Sequence, residues 1–245
     1  MKPITIYWAP TCHSDEVWNF PYQDPTPVMN TVFQQNKKDT NIFLCPAFRD
    51  TVKNLYSFNS VFDEYTELQP EVLEHLYHEQ DILTEIPTDL KISLIKNRKS
   101  SLQNSLNIKY NLSWILFADE PVIARFTAPY LPPTTPSPQA ILSPGQYDIG
   151  SWYRSFNLEY LVPTSATHWQ YKENEPLFYL QVETDRKIQF KRYERTDKLI
   201  DIENEMTQSV YRYGFGIPML KRYSMFHQSK TRQLILKEIK NNILE

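Results

Sequence analysis

Glycine is scarce in this chain, with 4 among 245 residues, whereas an average protein contains about 7%. None of the four precedes a lysine, and they never cluster as three within six positions. A phosphate-binding P-loop and a dinucleotide fingerprint both require such clusters, and a Gly-x-Ser-x-Gly nucleophile elbow is missing as well. We therefore set aside P-loop nucleotidases, two-domain kinases and Rossmann-type dehydrogenases.

Cysteine and long apolar stretches are also rare. The two cysteines, Cys12 and Cys45, are too few for a secreted disulfide scaffold, which is usually shorter and richer in cysteine. The first residues carry no apolar signal core, and no apolar run approaches the roughly 20 residues that span a bilayer. We expect a cytoplasmic protein that does not enter membranes, with later assembly into a particle left open.

Hydrophobic residues are plentiful, at 41% of the chain, and 14% of the residues are aromatic. Alternating apolar positions, the period-two pattern of a strand, predict strands at 4–8, 106–112, 114–117, 122–126, 156–162, 177–182 and 187–193. Charged residues alternate with the apolar ones in the last segment, which predicts an edge strand or a half-exposed strand. Within 156–162 the even positions should face the core, while 157 and 159 should face solvent. Shorter apolar segments predict further strands at 41–45, 52–58 and 90–94.

Two segments show helical spacing. Residues 66–83 place apolar side chains on one face after Pro70, and residues 230–244 repeat isoleucine every four positions. We predict an α+β, mainly β protein with a β-sandwich, jelly-roll or β-clip-like core, a C-terminal helix and one helix near 66–83. Prolines make 127–145 a long rigid loop within a β-rich core of residues 1–200, and a helical extension follows at 201–245.

The net charge of −3 is distributed unevenly along the chain. Residues 186–245 contain 13 Lys/Arg and 7 Asp/Glu, so the remaining residues are strongly acidic. Such a basic end either docks on its own acidic body or is offered to a partner protein or a second copy. Nucleic acid is a less favoured partner, because the sequence pI is about 6.0 and strong binders are usually basic. The predicted partner-binding residues are Lys221, Arg222, Lys230, Arg232, Ile235 and Ile239.

Metal and cofactor sites are not expected. Structural zinc sites usually show two close pairs of ligands, such as Cys-x-x-Cys, whereas the sequence contains no Cys-x-x-Cys pair and its one close histidine pair is His75 and His78. The segment His13-Ser-Asp15 matches the His-x-Asp part of an iron-binding facial triad, with a distant histidine as the third ligand. His13 and Asp15 are therefore the residues of a minor alternative, an iron-dependent oxygenase.

The segment 143–155 contains the order Gly-x-x-Asp-x-Gly-x-x-Tyr-Arg, and an apolar strand ending in Gln181 follows. This order resembles the third motif and the following strands of the dUTPase and dCTP deaminase family. The resemblance covers about 40 residues and implies a nucleotide-processing enzyme with Asp148, Tyr153 and Arg154 in its catalytic hairpin. Gly, Asp and Pro also mark ordinary turns, so a plain hairpin turn is the other interpretation of this segment.

Two further segments, 43–54 and 221–242, resemble features of uncharacterised proteins of tailed phages of marine bacteria. This resemblance implies a phage origin and a location in the host cytoplasm or the virion. Together with the weak catalytic signals, it leads us to predict a non-catalytic accessory or interaction protein. The alternative is an enzyme with a β-clip or double-stranded β-helix core.

Overall fold

The computed structural model describes residues 1–11, 22–30, 45–60, 64–67, 93–94, 105–110, 114–131, 140–156, 158–163, 165–166, 168–208 and 230–244. These residues include fourteen strands and three helices, and residues 28–30 are also helical, so the fold class is α+β and mainly β, as predicted. The strands are β1 (Ile4–Pro10), β2 (Thr26–Pro27), β3 (Leu55–Asn59), β4 (Glu64–Glu67), β5 (Ser93–Leu94), β6 (Ser105–Tyr110), β7 (Trp114–Ala118), β8 (Ile123–Thr127), β9 (Ile141–Leu142), β10 (Gly145–Asp148), β11 (Leu158–Pro163), β12 (His168–Tyr171), β13 (Pro176–Val182) and β14 (Ile188–Arg192). The helices are α1 (Pro46–Val52), α2 (Asp197–Gln208) and α3 (Thr231–Asn241).

The strands form four sheets. The first sheet has the order β14-β1-β7, in which β1 runs parallel to β14 and antiparallel to β7. The second sheet has the order β10-β8-β13-β3-β2, and the third has the order β5-β6-β11-β9. Strands β12 and β4 form a separate antiparallel pair. The first sheet is the one that positions the candidate site.

Strand β1 is buried on both of its faces. Ile4, Ile6 and Trp8 point into the main core, which the second and third sheets also line. Tyr7 and Ala9 point to the opposite side. Because successive side chains of a strand alternate between faces, a strand covered on both sides must be apolar at nearly every position. This explains why the segment Ile-Thr-Ile-Tyr-Trp-Ala contains no charge.

The main core is rich in packed aromatic rings. Phe178 of β13 stacks on Phe58 with ring centroids 4.6 Å apart. It also meets Trp114 and Phe156 edge-on, at 5.5 and 5.8 Å. Aromatic pairs in these geometries add stability beyond the area they bury. These four aromatic side chains therefore fill the space between the sheets.

Helices α2 and α3 cover the other face of the first sheet. The cluster formed there, here called the helix-side core, has nine fully buried members: Tyr7, Ala9, Ile115, Phe117, Tyr153, Tyr193, Leu199, Ile235 and Ile239. The predicted C-terminal helix is thus confirmed as α3, and its apolar stripe packs on the chain's own sheet. None of the helices in the described part of the chain has the length and hydrophobicity that a membrane span requires.

The predicted register of β11 is confirmed. Phe156, Leu158, Tyr160 and Val162 are at most 3% exposed, whereas Glu159 is half-buried and residue 157 lies outside the described residues. Strand β14 is at the edge of its sheet, as its alternating charges predict. Local alternation was therefore sufficient to place these two strands.

The strand predicted at 52–58 is present as β3, but it begins three residues later than expected. Residues 46–52, between the two strands predicted at 41–45 and 52–58, form a helix that the sequence analysis did not predict. Proline suits the first turn of a helix because the backbone N–H groups there have no hydrogen-bond partner within the helix, so the N–H that proline lacks is not needed. Asn54 then adopts a positive φ of 54°, a left-handed conformation that asparagine tolerates, and β3 begins at Leu55. Residues 41–44 of the first expected strand lie outside the described residues.

Two other predicted segments are described only in part. Residues 66 and 67 belong to β4, and residues 68–83 of the predicted helix lie outside the described residues. In the proline-rich segment 127–145, residues 132–139 are not described, and the two-residue strand β9 follows at 141–142.

Candidate functional site

Asp148, the first residue of the predicted catalytic set, fixes the turn that follows β10. Its Oδ1 accepts hydrogen bonds from the backbone N–H of Val122 (3.0 Å) and Gly150 (2.9 Å). Its Oδ2 accepts one from the Ser151 hydroxyl at 2.7 Å. A cavity of about 360 Å³ adjoins this turn. The carboxylate therefore has the bonding expected of a turn-forming aspartate.

Tyr153 and Arg154 lie in different surroundings from Asp148. Tyr153 is fully buried in the helix-side core, where its hydroxyl lies 3.1 Å from that of Tyr193. Arg154 is half-buried, and its guanidinium lies 5.2 Å from the centre of the Trp152 ring. Asp148 bonds the turn after β10, whereas Tyr153 packs in the helix-side core, so the two side chains serve different parts of the fold. Their catalytic role stays a prediction.

Burial sets the acidity of the two tyrosines. Removal from water disfavours the charged phenolate, and it raises the pKa of Tyr153 and that of Tyr193 well above their usual value. In Tyr193 the neighbouring Tyr153 raises the pKa further. Both hydroxyl groups are therefore neutral near pH 7. They act as hydrogen-bonding groups of the core and are poorly suited to donate a proton or to act as nucleophiles.

A buried ion pair lies next to these tyrosines. Arg195 and Glu203 expose 8% and 12% of their side chains, and the Arg195 guanidinium donates to the Glu203 carboxylate. Glu203 also accepts the backbone N–H of Ser155 at 3.0 Å. Arg195 donates to the carbonyl oxygen of Thr11 at 2.7 Å. The pair thus ties α2 to the end of β1 and to the turn after β10. Sequence reasoning missed it, because only the fold brings these groups together.

The three predicted partner-binding residues that lie on α3 are buried or hydrogen-bonded within the chain. Ile235 and Ile239 are 0% exposed. Arg232 donates to the carbonyl oxygens of Gly150 (2.9 Å) and Asp119 (2.7 Å). Lys230 is exposed. Of the two alternatives, docking on its own body is therefore the arrangement observed for α3. The remaining two residues of the set, at 221 and 222, lie outside the described residues.

His13 and Asp15, the alternative iron ligands, also lie outside the described residues. In the part of the chain that the structure describes, no group of three His, Cys, Asp or Glu side chains is arranged to hold a metal ion. The hypothesis that His13 and Asp15 bind iron therefore stays a prediction.

The sequence did not predict an open groove of about 730 Å³ beside the first sheet. Its floor is aromatic, with Trp8, Tyr22 and Phe190, and the Trp8 ring is held by a hydrogen bond from its Nε1 to Asp24 Oδ1 at 2.8 Å. Arg192 lies over the Trp8 ring, 5.2 Å from its centre. A cation stacked on an indole is a stabilising arrangement, so this wall of the groove is preformed.

The groove borders the last three residues of β14. Residues 242–244 meet the end of this strand: Leu244 N–H donates to the Arg192 carbonyl at 3.0 Å, and Glu194 N–H donates to the Asn242 carbonyl at 2.9 Å. Tyr193 and Ile243 form an isolated antiparallel bridge. Among the described residues, no strand pairs with the outer side of residues 188–191. The combination of an open strand edge with an aromatic and basic groove is the candidate functional site.

Comparisons with known proteins do not assign the chain to a family. No family model matches the chain, and neither a curated protein nor a solved structure matches it.

Proposed function

We propose that this chain is a non-catalytic interaction protein, encoded by a tailed phage, that holds a partner protein in the host cytoplasm or in the virion. The resemblance of segments 43–54 and 221–242 to phage proteins supplies the setting. The open edge of β14, with its groove, is the observation that carries the interaction role, because exposed strand edges are ready templates for pairing with another chain.

The surroundings of the predicted catalytic residues support a binding role over an enzymatic one. The Asp148 carboxylate accepts two hydrogen bonds within its own turn and a third from the backbone N–H of Val122, and the Tyr153 hydroxyl is buried in the helix-side core. A general acid or base must reach a proton of the substrate. The Tyr153 hydroxyl is too deeply buried to do so, and Asp148, although it lines a cavity of about 360 Å³, already uses both carboxylate oxygens in hydrogen bonds within the chain. The groove beside β14 is open.

The interaction role is tested in cells infected by the phage that encodes the chain. A tagged chain is cross-linked during infection, and the recovered proteins are identified by mass spectrometry. We expect one protein to be recovered in a constant ratio to the chain and to co-elute with it after both are purified and mixed. The tag alone is the control. A chain that elutes alone in every such mixture would contradict the proposal.

The enzymatic alternative has its own test. The purified chain is incubated with deoxynucleoside triphosphates, and hydrolysis or deamination is followed by chromatography. We expect no turnover above that of a heat-treated sample. A rate that disappears in a folded Asp148→Asn variant would show that the chain is an enzyme.

The place of action is tested separately. Peptides of the chain are quantified in gradient-purified particles and in the lysate left after the particles are removed. Enrichment at a fixed number of copies per particle supports the virion, and recovery in the lysate alone supports the host cytoplasm. Absence from both fractions at every stage of infection would contradict the phage setting.

A further inference from the structure

We infer that the outer edge of β14 accepts an extended acidic segment of a partner protein as a fourth strand of the first sheet. The inference rests on the proposed interaction function and specifies the surface and the chemistry of the partner. Addition of a strand to a sheet edge is a recurring mode of peptide recognition, in which backbone hydrogen bonds supply affinity and alternate side chains supply specificity.

The backbone of β14 is oriented for this pairing. On its inner side, the Lys187 carbonyl accepts from Ile4 N–H at 2.9 Å, and Tyr193 N–H donates to the Trp8 carbonyl at 3.0 Å. Bonding directions alternate along a strand, so Ile188 and Phe190 direct their N–H and C=O groups away from β1. These two residues therefore offer two donors and two acceptors to an added strand.

Residues 242–244 show that the backbone at the end of β14 accepts hydrogen bonds on its outer side. Leu244 bonds to the Arg192 carbonyl, and residues Tyr193 and Ile243 face each other as an antiparallel bridge. A segment pairing with residues 188–191 would continue the line that Leu244 begins. The described residues leave this part of the edge without a neighbouring strand.

The groove lies where the inward side chains of an added strand would be placed. In the first sheet Phe190 is opposite Ile6, and Arg192 is opposite Trp8, so both lie on the face that points to the main core. Phe190 is held there by an edge-on contact with Tyr56, with ring centroids 4.8 Å apart. Side chains of a fourth strand on this face would extend the same ladder and enter the groove of about 730 Å³.

Charge defines the chemistry of the partner. Residues 187–192 read Lys-Ile-Gln-Phe-Lys-Arg, with three cations and no acidic residue. Lys191 and Arg192 line the groove together with Asp24, whose carboxylate accepts the Trp8 Nε1 hydrogen bond, and Lys187 is exposed. Acidic side chains flanking the added strand would complement these cations and would speed its encounter with the edge. The same cations oppose pairing of two β14 edges from two copies, because like charges across strands are destabilising.

The test uses a short fluorescent peptide that alternates glutamate and valine, together with a counterpart that alternates lysine and valine. We expect the acidic peptide to bind the full chain at least about tenfold more tightly than the basic one, with an affinity that falls as salt is raised. Charge reversal by Lys187→Glu and Lys191→Glu together should reverse this preference. The control is a double reversal at exposed positions elsewhere, Lys172→Glu and Lys237→Glu, which should leave the preference unchanged.

A second variant and a second measurement examine the backbone pairing. In Ile188→Pro the lost N–H points outward, so the bonds between β14 and β1 stay intact. The variant should unfold cooperatively and bind the acidic peptide at least about tenfold more weakly. In the unmodified protein, the peptide should slow amide hydrogen exchange at Ile188 and Phe190. That measurement does not depend on whether any variant folds.

Three outcomes would overturn the inference: equal binding of both peptides, exchange protection confined to other strands, or dimers of the chain joined through β14. The proposed function is judged by the complex recovered from infected cells. If that complex forms equally with the Ile188→Pro variant, the edge inference fails while the interaction role stands. If no complex forms with the unmodified chain, the proposed function itself fails.

Discussion

The hydroxyl groups of Tyr153 and Tyr193 lie 3.1 Å apart in the helix-side core, where burial raises the pKa of both phenols. In the unfolded chain each would ionise near its ordinary pKa of about 10. The folded state therefore retains protons that the unfolded state releases above that pH. The contribution of the pair to stability is complete below about pH 10 and is lost as the pH rises further.

We predict that Tyr153→Phe and Tyr193→Phe together flatten the dependence of stability on pH above about 10. The free energy of unfolding is measured by urea titration at several pH values, and phenolate absorbance is recorded alongside circular dichroism. In the unmodified protein the last phenolates should appear only as the dichroism is lost. An unchanged slope in the double variant would show that other groups govern alkaline unfolding.

The ion pair of Arg195 and Glu203 gives a second prediction. Breaking a buried pair leaves an uncompensated charge, so Arg195→Met and Glu203→Leu should each cost about 3–5 kcal/mol of unfolding free energy. The double variant should cost clearly less than the sum of the two. Lys198→Met, which removes the cation of an exposed pair with Glu238, is the control and should cost about 1 kcal/mol or less. Additive single effects would mean that the two side chains are not coupled.

The turn after Asp148 depends on the small size of Gly150. A methyl group there would lie 2.3 Å from the backbone oxygen of Glu120. Gly150→Ala should lower the free energy of unfolding by about 3 kcal/mol, because overpacking against backbone cannot be relieved cheaply. At Gly145 the added methyl group would meet the Phe126 ring at 2.2 Å. The Phe126 side chain can shift more readily than the backbone at Glu120, so Gly145→Ala should lower the free energy of unfolding by less than Gly150→Ala does. Thermal unfolding of both variants tests the order, and a reversed order would refute the argument.

Helix α3 gives the fourth prediction. Ile235→Ala and Ile239→Ala should each lower the unfolding free energy by about 2–5 kcal/mol, because each leaves a cavity in the helix-side core. Leu234 is 46% exposed on the same helix, so Leu234→Ala is the matched control and should change stability by about 0.5 kcal/mol or less. Equal effects at buried and exposed positions would show that α3 is not docked in solution.

Sequence periodicity predicted those elements whose environment is encoded locally. The even positions of 156–162 are all apolar, and the structure buries them. The isoleucines at 235 and 239 mark the buried face of α3 in the same way. The alternation of charge in 187–193 also placed β14 at an edge. In each case the pattern repeats within one element, so no knowledge of its neighbours was needed.

Features that depend on distant residues could not be predicted in this way. Nothing local indicates that β1 runs parallel to β14, or that Arg195 meets Thr11, since these neighbours are set by the path of the whole chain. Helix α1 was missed because its seven residues are too few to show helical periodicity. The groove combines Trp8, Tyr22 and Arg192 from separate segments, so only the fold reveals it.

The double burial of β1 has a consequence for how the protein is made. This strand pairs with residues 114–118 and 188–192, so both of its neighbours are synthesised long after it. At about 5–20 residues per second, a ribosome needs about 10–40 s to reach the end of β14. Throughout that interval an uncharged, β-prone segment lacks at least one of its two neighbouring strands, and such segments are prone to aggregate. The yield of folded chain should therefore depend on the temperature of synthesis and on chaperones that shield the first residues.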